Sequence, residues 1–364
     1  MKIMIYVGHP SQYLFFRESI RKLKEKGNSV LLLIKTKDIL EDIIIQDGFE
    51  YINIMPKPRG NSKFSIGWNL LVRLVRILPL IMKEQPDLMI GGDATISQLG
   101  WLLRKNRFTL TEDDYPVIKT LADITFPFSQ AIVSPKVCNV GKWSEKKIGY
   151  DGYMKLAYLH PDVFHPKKET LYRYNINEPY VLIRLAKLTA HHDFGIKGIG
   201  YNDLKEIIGL IEEKNISVFI SSEADLTEEF KKYELIIDPS DMHHILAYSK
   251  ILISDSQSMS VEASMLGVPS IRFSDFAGRI SVLEELEHTY ELTFGISTDN
   301  FAELIRKLKH LLTIEELNEL FSKRKQRMLS DKINVSKFIT WFIEEFPNSM
   351  QVMRENPDFQ YRFK

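Results

Sequence analysis

Residues 251–272 read ILISDSQSMSVEASMLGVPSIR. A short apolar run ends at Asp255, a small polar turn of Ser256, Gln257 and Ser258 opens a helix, and the helix closes at Gly267 before Val268-Pro269 starts another strand. Free amides of the first helical turn, the helix dipole and two serine hydroxyls would converge there on a phosphate-like anion, with no large side chain in the way. Glu262, four residues beyond Ser258, faces the same side and could accept hydrogen bonds from both hydroxyls of a ribose. The competing reading is an ordinary N-cap, since serine and glutamate at this spacing are common at helix starts.

Outward from this stretch, apolar runs of four to six residues alternate with segments of helical period, the pattern of parallel strands covered on both faces by helices. In the first half, strands are predicted at Lys2–Val7, Val30–Ile34, Tyr51–Ile54, Asp87–Gly91, Phe108–Thr111 and Ala131–Ser134. The alternation restarts at Tyr180–Leu185, with strands at Ile216–Ser221, Leu235–Asp238, Ile251–Asp255 and Pro269–Phe273. Between the halves, His160–Pro179 holds three prolines and no apolar period. The expected fold is therefore α/β with two Rossmann-like doubly wound domains: residues 1–165, a linker at 166–178, and residues 179–330. A helix at 331–346 is expected to pack back on the first domain, with a tail at 347–364 of open role. Two such sheets facing one another place the carboxyl ends of their strands along a shared cleft, where ligands bind in this architecture.

The composition supports this reading by exclusion. The 364 residues carry 48 Lys+Arg against 48 Asp+Glu, so no overall charge draws the molecule to nucleic acid. One cysteine rules out a disulfide scaffold and fits a reducing cytoplasm, and the chain opens directly on an apolar strand with no signal-peptide pattern. The longest apolar run, Trp68–Met82, is too short to span a bilayer and contains Arg73 and Arg76. No G-x-G-x-x-G follows the first strand, and neither a P-loop nor a G-x-S-x-G turn occurs. Cys138 has no neighbouring histidine and reads as structural.

In the first half, Gly8-His9-Pro10 follows the opening strand; Gly8 allows close backbone approach, and His9 is the first candidate for a general base. The alternative is that His9 only braces its turn. Asp93, ending the GGD of another strand, is the alternative base or a ligand for an acceptor hydroxyl. The adjacent carboxylates of Glu112-Asp113-Asp114 do not present the spaced pair of metal-dependent transferases, so no metal is expected.

The D-S-x-S-M-x-x-E-A-x-x-L-G-x-P run resembles the donor-nucleotide segment of two-domain GT-B sugar-nucleotide enzymes, such as the glucosaminyltransferase of peptidoglycan synthesis and the non-hydrolysing UDP-N-acetylglucosamine 2-epimerases. The chain as a whole, over roughly residues 1–345, is similar to the prokaryotic domain-of-unknown-function 354 family in GHPSQYLFFRESIRKLKEKGNSV, GYDGYMKLAYLHPDVFHP and the 255–272 run. The resemblance implies a nucleotide-diphosphate sugar held mainly by the second domain, through Asp255, Ser256, Gln257, Ser258, Met259 and Glu262. It also implies a basic side chain toward the pyrophosphate, Arg184 or Lys187. His191, His192 and Asp193 would overhang the cleft, and Asp238 would stand near the nucleobase. It does not carry over a reaction.

From Tyr51 through Lys83 there is no acidic residue, while Lys57, Arg59, Lys63, Arg73, Arg76 and Lys83 are interleaved with apolar side chains. That mixture over residues 57–83 suits peripheral contact with an anionic inner-membrane surface; the alternative is a helix whose apolar side packs on the sheet. The resulting expectation is a cytoplasmic, metal-independent glycosyltransferase using a nucleotide sugar, UDP-linked, and a saccharide or lipid-linked acceptor in cell-surface polysaccharide or glycolipid synthesis. It needs no cofactor and no nucleic acid. A UDP-sugar 2-epimerase and a non-catalytic nucleotide-sugar-binding protein are the alternatives.

Overall fold

The computed structural model describes residues 1–37, 39–56, 63–186 and 198–364. The chain forms two compact units, Met1–Val163 with Lys332–Lys364, and Phe164–Asp331. In chain order the first unit contains β1 (Lys2–Val7), α1 (Pro10–Glu25), β2 (Ser29–Lys35), α2 (Leu40–Gln46), β3 (Ile52–Met55), α3 (Lys63–Glu84), β4 (Leu88–Gly91) and α4 (Ala94–Leu102). It continues with β5 (Asn106–Leu110), α5 (Lys119–Thr125), β6 (Ala131–Pro135), β7 (Lys147–Tyr150) and α6 (Leu156–Leu159). The second unit holds α7 (Glu169–Arg173), β8 (Tyr180–Leu185), α8 (Tyr201–Glu212), β9 (Ser217–Ser222), α9 (Met242–Tyr248), β10 (Ile251–Ser254) and α10 (Gln257–Leu266). It closes with β11 (Ser270–Phe273), α11 (Ser281–His288), β12 (Thr293–Ile296), α12 (Phe301–Thr313) and α13 (Leu317–Asp331). The chain then returns to the first unit as α14 (Val335–Glu344) and α15 (Asn348–Glu355).

Every strand pair is parallel. The first sheet has the order β3-β2-β1-β4-β5-β6-β7 and the second β12-β11-β10-β8-β9. The strands are nearly continuous apolar runs because helices cover both faces: Met4, Met89, Ile77 and Ile81 share one core, Leu182, Leu252 and Ala263 another. Strand order reverses between β1 and β4 in the first sheet and between β8 and β10 in the second. In an open parallel sheet these switch points are where the loops diverge and leave a crevice.

Three departures from the sequence reading have physical causes. Residues 235–238 form no strand: Glu234 makes one bridge to Ile220, and Asp238 then caps a short 3-10 turn over Pro239–Asp241. The strands β7 and β12 were not anticipated; both are four-residue edge strands, too short to show a period. Residues 166–178 are not a plain connection, because they carry α7, whose Leu171 packs with Ile245 of α9. The C-terminal residues are ordered onto the first unit. Phe342 of α14 packs on Phe108, Trp341 on Phe359 and Phe363, and the Gln360 side chain accepts the Asp151 amide at 2.5 Å.

Candidate functional site

In the second unit the switch point lies between the ends of β8 and β10, and a hydrogen-bond chain stitches the two loops together. The Ser254 hydroxyl donates to the Arg184 carbonyl at 3.1 Å and accepts the Ser256 amide at 2.8 Å. Asp255 then accepts the Ala186 amide at 2.7 Å and the Ile199 amide. Burial raises the Asp255 carboxyl to about 6, the amides of Ala186, of Asp255 itself and of Ile199 pulling the other way. Gly198 is required beside it, since a Cβ there would overlap Oδ2 of Asp255.

These contacts fix the start of α10. Ser256 is its N-cap, accepting the Met259 amide at 3.4 Å, which leaves the Gln257 and Ser258 amides at the open end of the helix. Ser258 is half-buried. Glu262, one turn further on, is buried with Oε2 3.4 Å from Nε2 of His243 on α9, and the Phe164 ring stands edge-on to His243 and stacks on His244. Amides, a dipole, a serine hydroxyl and a carboxylate one turn below thus line one side of the helix end.

Other residues named from the sequence have different work here. Asp255 faces the β8 loop. Gln257 turns its carbonyl oxygen to Arg272 at 3.0 Å, and Met259 belongs to the core. Arg184 does not point to β10: its guanidinium donates to Ser221 at 2.7 Å and Glu223 at 2.5 Å on the β9 side. Asp238 is exposed and accepts the Ser240 amide and hydroxyl. Lys187, His191, His192 and Asp193 lie outside the described residues. The residue sequence reasoning missed is Arg272, fully buried on β11 behind α10; a charged residue inside a buried parallel strand was the available signal.

In the first unit, the loops after β1 and β4 flank the other switch point. The Gly8 amide donates to the Gln12 side chain at 2.9 Å, and His9 caps α1, its Nδ1 accepting the Ser11 amide at 3.2 Å. The imidazole is exposed, and with Nδ1 accepting that amide the neutral ring carries its proton on Nε2 and presents a donor there. Asp93 caps α4 through the Thr95 amide at 2.9 Å and pairs with Arg73 at 3.3 Å. Nearby, Tyr6 is buried with a hydroxyl that has no hydrogen-bond partner among the described residues, and burial first, then the Asp93 charge, pushes its pKa up. Glu112, from the acidic run, is a structural tie: it accepts the Met154 amide at 2.7 Å and Lys155 Nζ at 2.8 Å. The Cys138 thiol is buried, donates to the Glu112 carbonyl at 2.9 Å and is pushed up by burial, which makes it a poor nucleophile.

The scan of family models finds no match, nor does the search of curated proteins. Solved structures do match along almost the whole chain. MnaA of S. aureus, in a co-structure with UDP, superposes with TM-score 0.68 at 16% identity, covering 96% of this chain and 97% of that one. The UDP-GlcNAc 2-epimerase of Methanocaldococcus jannaschii, in complex with UDP-GlcNAc and UDP, gives 0.65 at 15% over 94% and 100%. The glycotransferase of kitacinnamycin gives 0.60 at 11% over 94% and 98%. At these identities the likeness is one of fold, and the fold is the two-domain Rossmann-like, GT-B-type architecture expected from the sequence.

Proposed function

We propose that the chain is an enzyme acting on a nucleotide-diphosphate sugar, UDP-linked, and that it transfers the glycosyl group to a saccharide or lipid-linked acceptor in cell-surface polysaccharide or glycolipid synthesis. The observation carrying this reading is the open N-terminus of α10 with Glu262 one turn below it at the switch point of the second sheet. The Gln257 and Ser258 amides and the Ser258 hydroxyl would hold the diphosphate, and Glu262, braced by His243, the ribose. In the transfer, an acceptor oxygen bonds to the anomeric carbon as that carbon's bond to the diphosphate oxygen breaks. The acceptor proton passes to Asp93, or to His9 at Nδ1 once that nitrogen has released the Ser11 amide, and the departing diphosphate gains negative charge, which the helix N-terminus stabilises without further reorganisation. The resemblance to the domain-of-unknown-function 354 family read from the sequence is met by no family-model match and names no reaction.

A second reading, sugar-nucleotide 2-epimerisation, is favoured by one observation: several of the similar solved structures are UDP-GlcNAc 2-epimerases. Incubating the protein with UDP-GlcNAc alone and following the sugar protons by NMR separates the two. Transfer predicts unchanged donor until an acceptor is added and UDP release afterwards. A new sugar-nucleotide signal or UDP release without acceptor assigns the chain to epimerisation. Binding of UDP with no turnover under any acceptor leaves a non-catalytic nucleotide-sugar-binding protein.

A further inference from the structure

We propose that Phe164 is a positioning residue for nucleotide binding: through His243 it holds Glu262 in the orientation that accepts the ribose hydroxyls, so that the segment joining the two units carries the site's preference for a ribose. This rests on Glu262 being the ribose holder.

The chain passes from the first unit to the second between Val163 and Phe164. Pro166, Lys167, Lys168 and Glu169 follow, a polar stretch with no apolar period of its own, so its order has to come from neighbours that repay the entropy of fixing it. Much of that order comes from α9. The Phe164 ring stacks on His244 with centroids 4.8 Å apart and stands edge-on to His243 at 6.1 Å. The Lys167 amide donates to Nδ1 of His244 at 3.1 Å, and the Tyr248 hydroxyl donates to the Pro166 carbonyl at 3.2 Å. Burial holds His244 below the ordinary histidine pKa, which keeps Nδ1 an acceptor for that amide. Farther along, Arg173 and the Tyr174 hydroxyl both donate to Oδ2 of Asp241, at 2.6 and 2.7 Å, just ahead of α9.

The same helix meets the ribose carboxylate. With seven residues α9 is too short to stand by itself, and it packs on α10 through Leu246, beside Met259 and Ala263. His243 Nε2 lies 3.4 Å from Oε2 of Glu262, whose side chain is 9% exposed. A carboxylate that deep is costly without a donor, and a donor at one oxygen fixes the plane that two adjacent ribose hydroxyls have to meet. An imidazole turns between rotamers unless something packs on it, and the edge-on Phe164 ring packs on this one. Phe164 is half-buried, so truncating it removes contacts to two histidines more than it removes core.

Calorimetric titration of the full chain with UDP and with 2′-deoxy-UDP tests this, since the second lacks one of the two hydroxyls that Glu262 would accept. The wild type is expected to bind UDP about tenfold more tightly than 2′-deoxy-UDP, the loss that goes with one unmade hydrogen bond to a charged group. Phe164→Ala is expected to weaken UDP about tenfold and to change 2′-deoxy-UDP less than about threefold, which collapses the preference. Phe164→Tyr, which keeps the ring, should restore it. Phe164→Ala with the wild-type preference overturns the proposal, and so does equal weakening of both nucleotides, which is what general damage to the helix end would give. A wild type that binds both equally overturns the ribose role of Glu262, and one that binds neither overturns the nucleotide reading of α10. Should Phe164→Ala misfold, amide hydrogen exchange on the wild type gives an independent reading. If Phe164 strengthens the hold on the ribose, the ribose must in turn order the segment. At saturation UDP is therefore expected to slow exchange of the Lys167 amide more than 2′-deoxy-UDP does, and equal rates overturn the coupling.

Discussion

The Arg272 guanidinium, with no solvent-exposed surface, donates to the Gln257 side-chain oxygen at 3.0 Å and so ties the buried strand β11 to the first turn of α10. Among the described residues its Nε and Nη2 have no hydrogen-bond partner, while Glu287 and Glu284 stand 3.8 and 3.9 Å from Nη2. The arrangement depends on Gly295, where a Cβ would overlap Nη2.

Removing one member of a buried charge cluster leaves the other uncompensated. Arg272→Met should therefore cost about 3 kcal/mol, because Glu287 would keep a largely buried charge without the guanidinium, held by the Gly295 amide. Adding Glu287→Gln, which keeps that acceptor and removes the charge, should restore at least half of the loss. Urea unfolding followed by far-ultraviolet circular dichroism reads both, and a double variant no more stable than the single one would show that the cluster is not acting through charge.

Asp255 makes a pH prediction whose sign follows from its raised pKa. Between about 3.8 and about 6 the folded chain keeps a proton that the unfolded chain has released, so stability should fall as pH rises through that window, by up to about 3 kcal/mol. Above pH 6 the contribution is constant. Asp255→Asn should flatten the dependence between pH 4 and 6, with its advantage at pH 7 reduced because one amide of the pair loses its acceptor. Identical pH profiles for the two proteins would mean that the buried carboxylate is not the group titrating there.

How much of this was legible in the sequence differs by residue. Strand β8 and the β10-α10-β11 unit were readable because a doubly covered parallel strand needs a continuous apolar run, and a helix start at its end needs small polar residues. The same run misled on Asp255, Gln257 and Met259, since position in a loop does not say which way a side chain turns. Asp255 faces backward to Ala186, a contact between residues 69 apart that local pattern cannot encode. Arg184 lies in the strand where it was expected, yet its partners are on β9, the neighbour away from α10. The tail was opaque for a related reason: Gln360 matters through the backbone of Asp151, 209 residues away.

All four tryptophans, Trp68, Trp101, Trp143 and Trp341, fall in the first unit, so tryptophan fluorescence reports that unit's unfolding. This gives access to the Glu112–Lys155 pair, whose side chains are 14% and 6% exposed. Glu112→Ala takes the carboxylate away from the buried Lys155 ammonium and frees the Met154 amide, and should cost about 3 kcal/mol. A fluorescence midpoint that does not move would show that water reaches Lys155 readily enough to replace the carboxylate.

Ligand linkage tests the α10 site without any assumption about the reaction. A ligand present at 100 times its Kd stabilises the folded state by about 2.7 kcal/mol, which appears as a higher melting temperature. UDP and UDP-sugars should raise the melting temperature of the wild type, while Ser258→Trp, which fills the mouth of the helix, should melt near the wild-type apo value and gain nothing from UDP. Glu262→Ala should retain a reduced response, because the phosphates would still meet the helix amides while the ribose loses its acceptor. The order of the three responses is the informative result: a Ser258→Trp protein that still responds fully would place the nucleotide away from α10, whereas equal loss in both variants would mean that Glu262 and His243 shape the helix end itself.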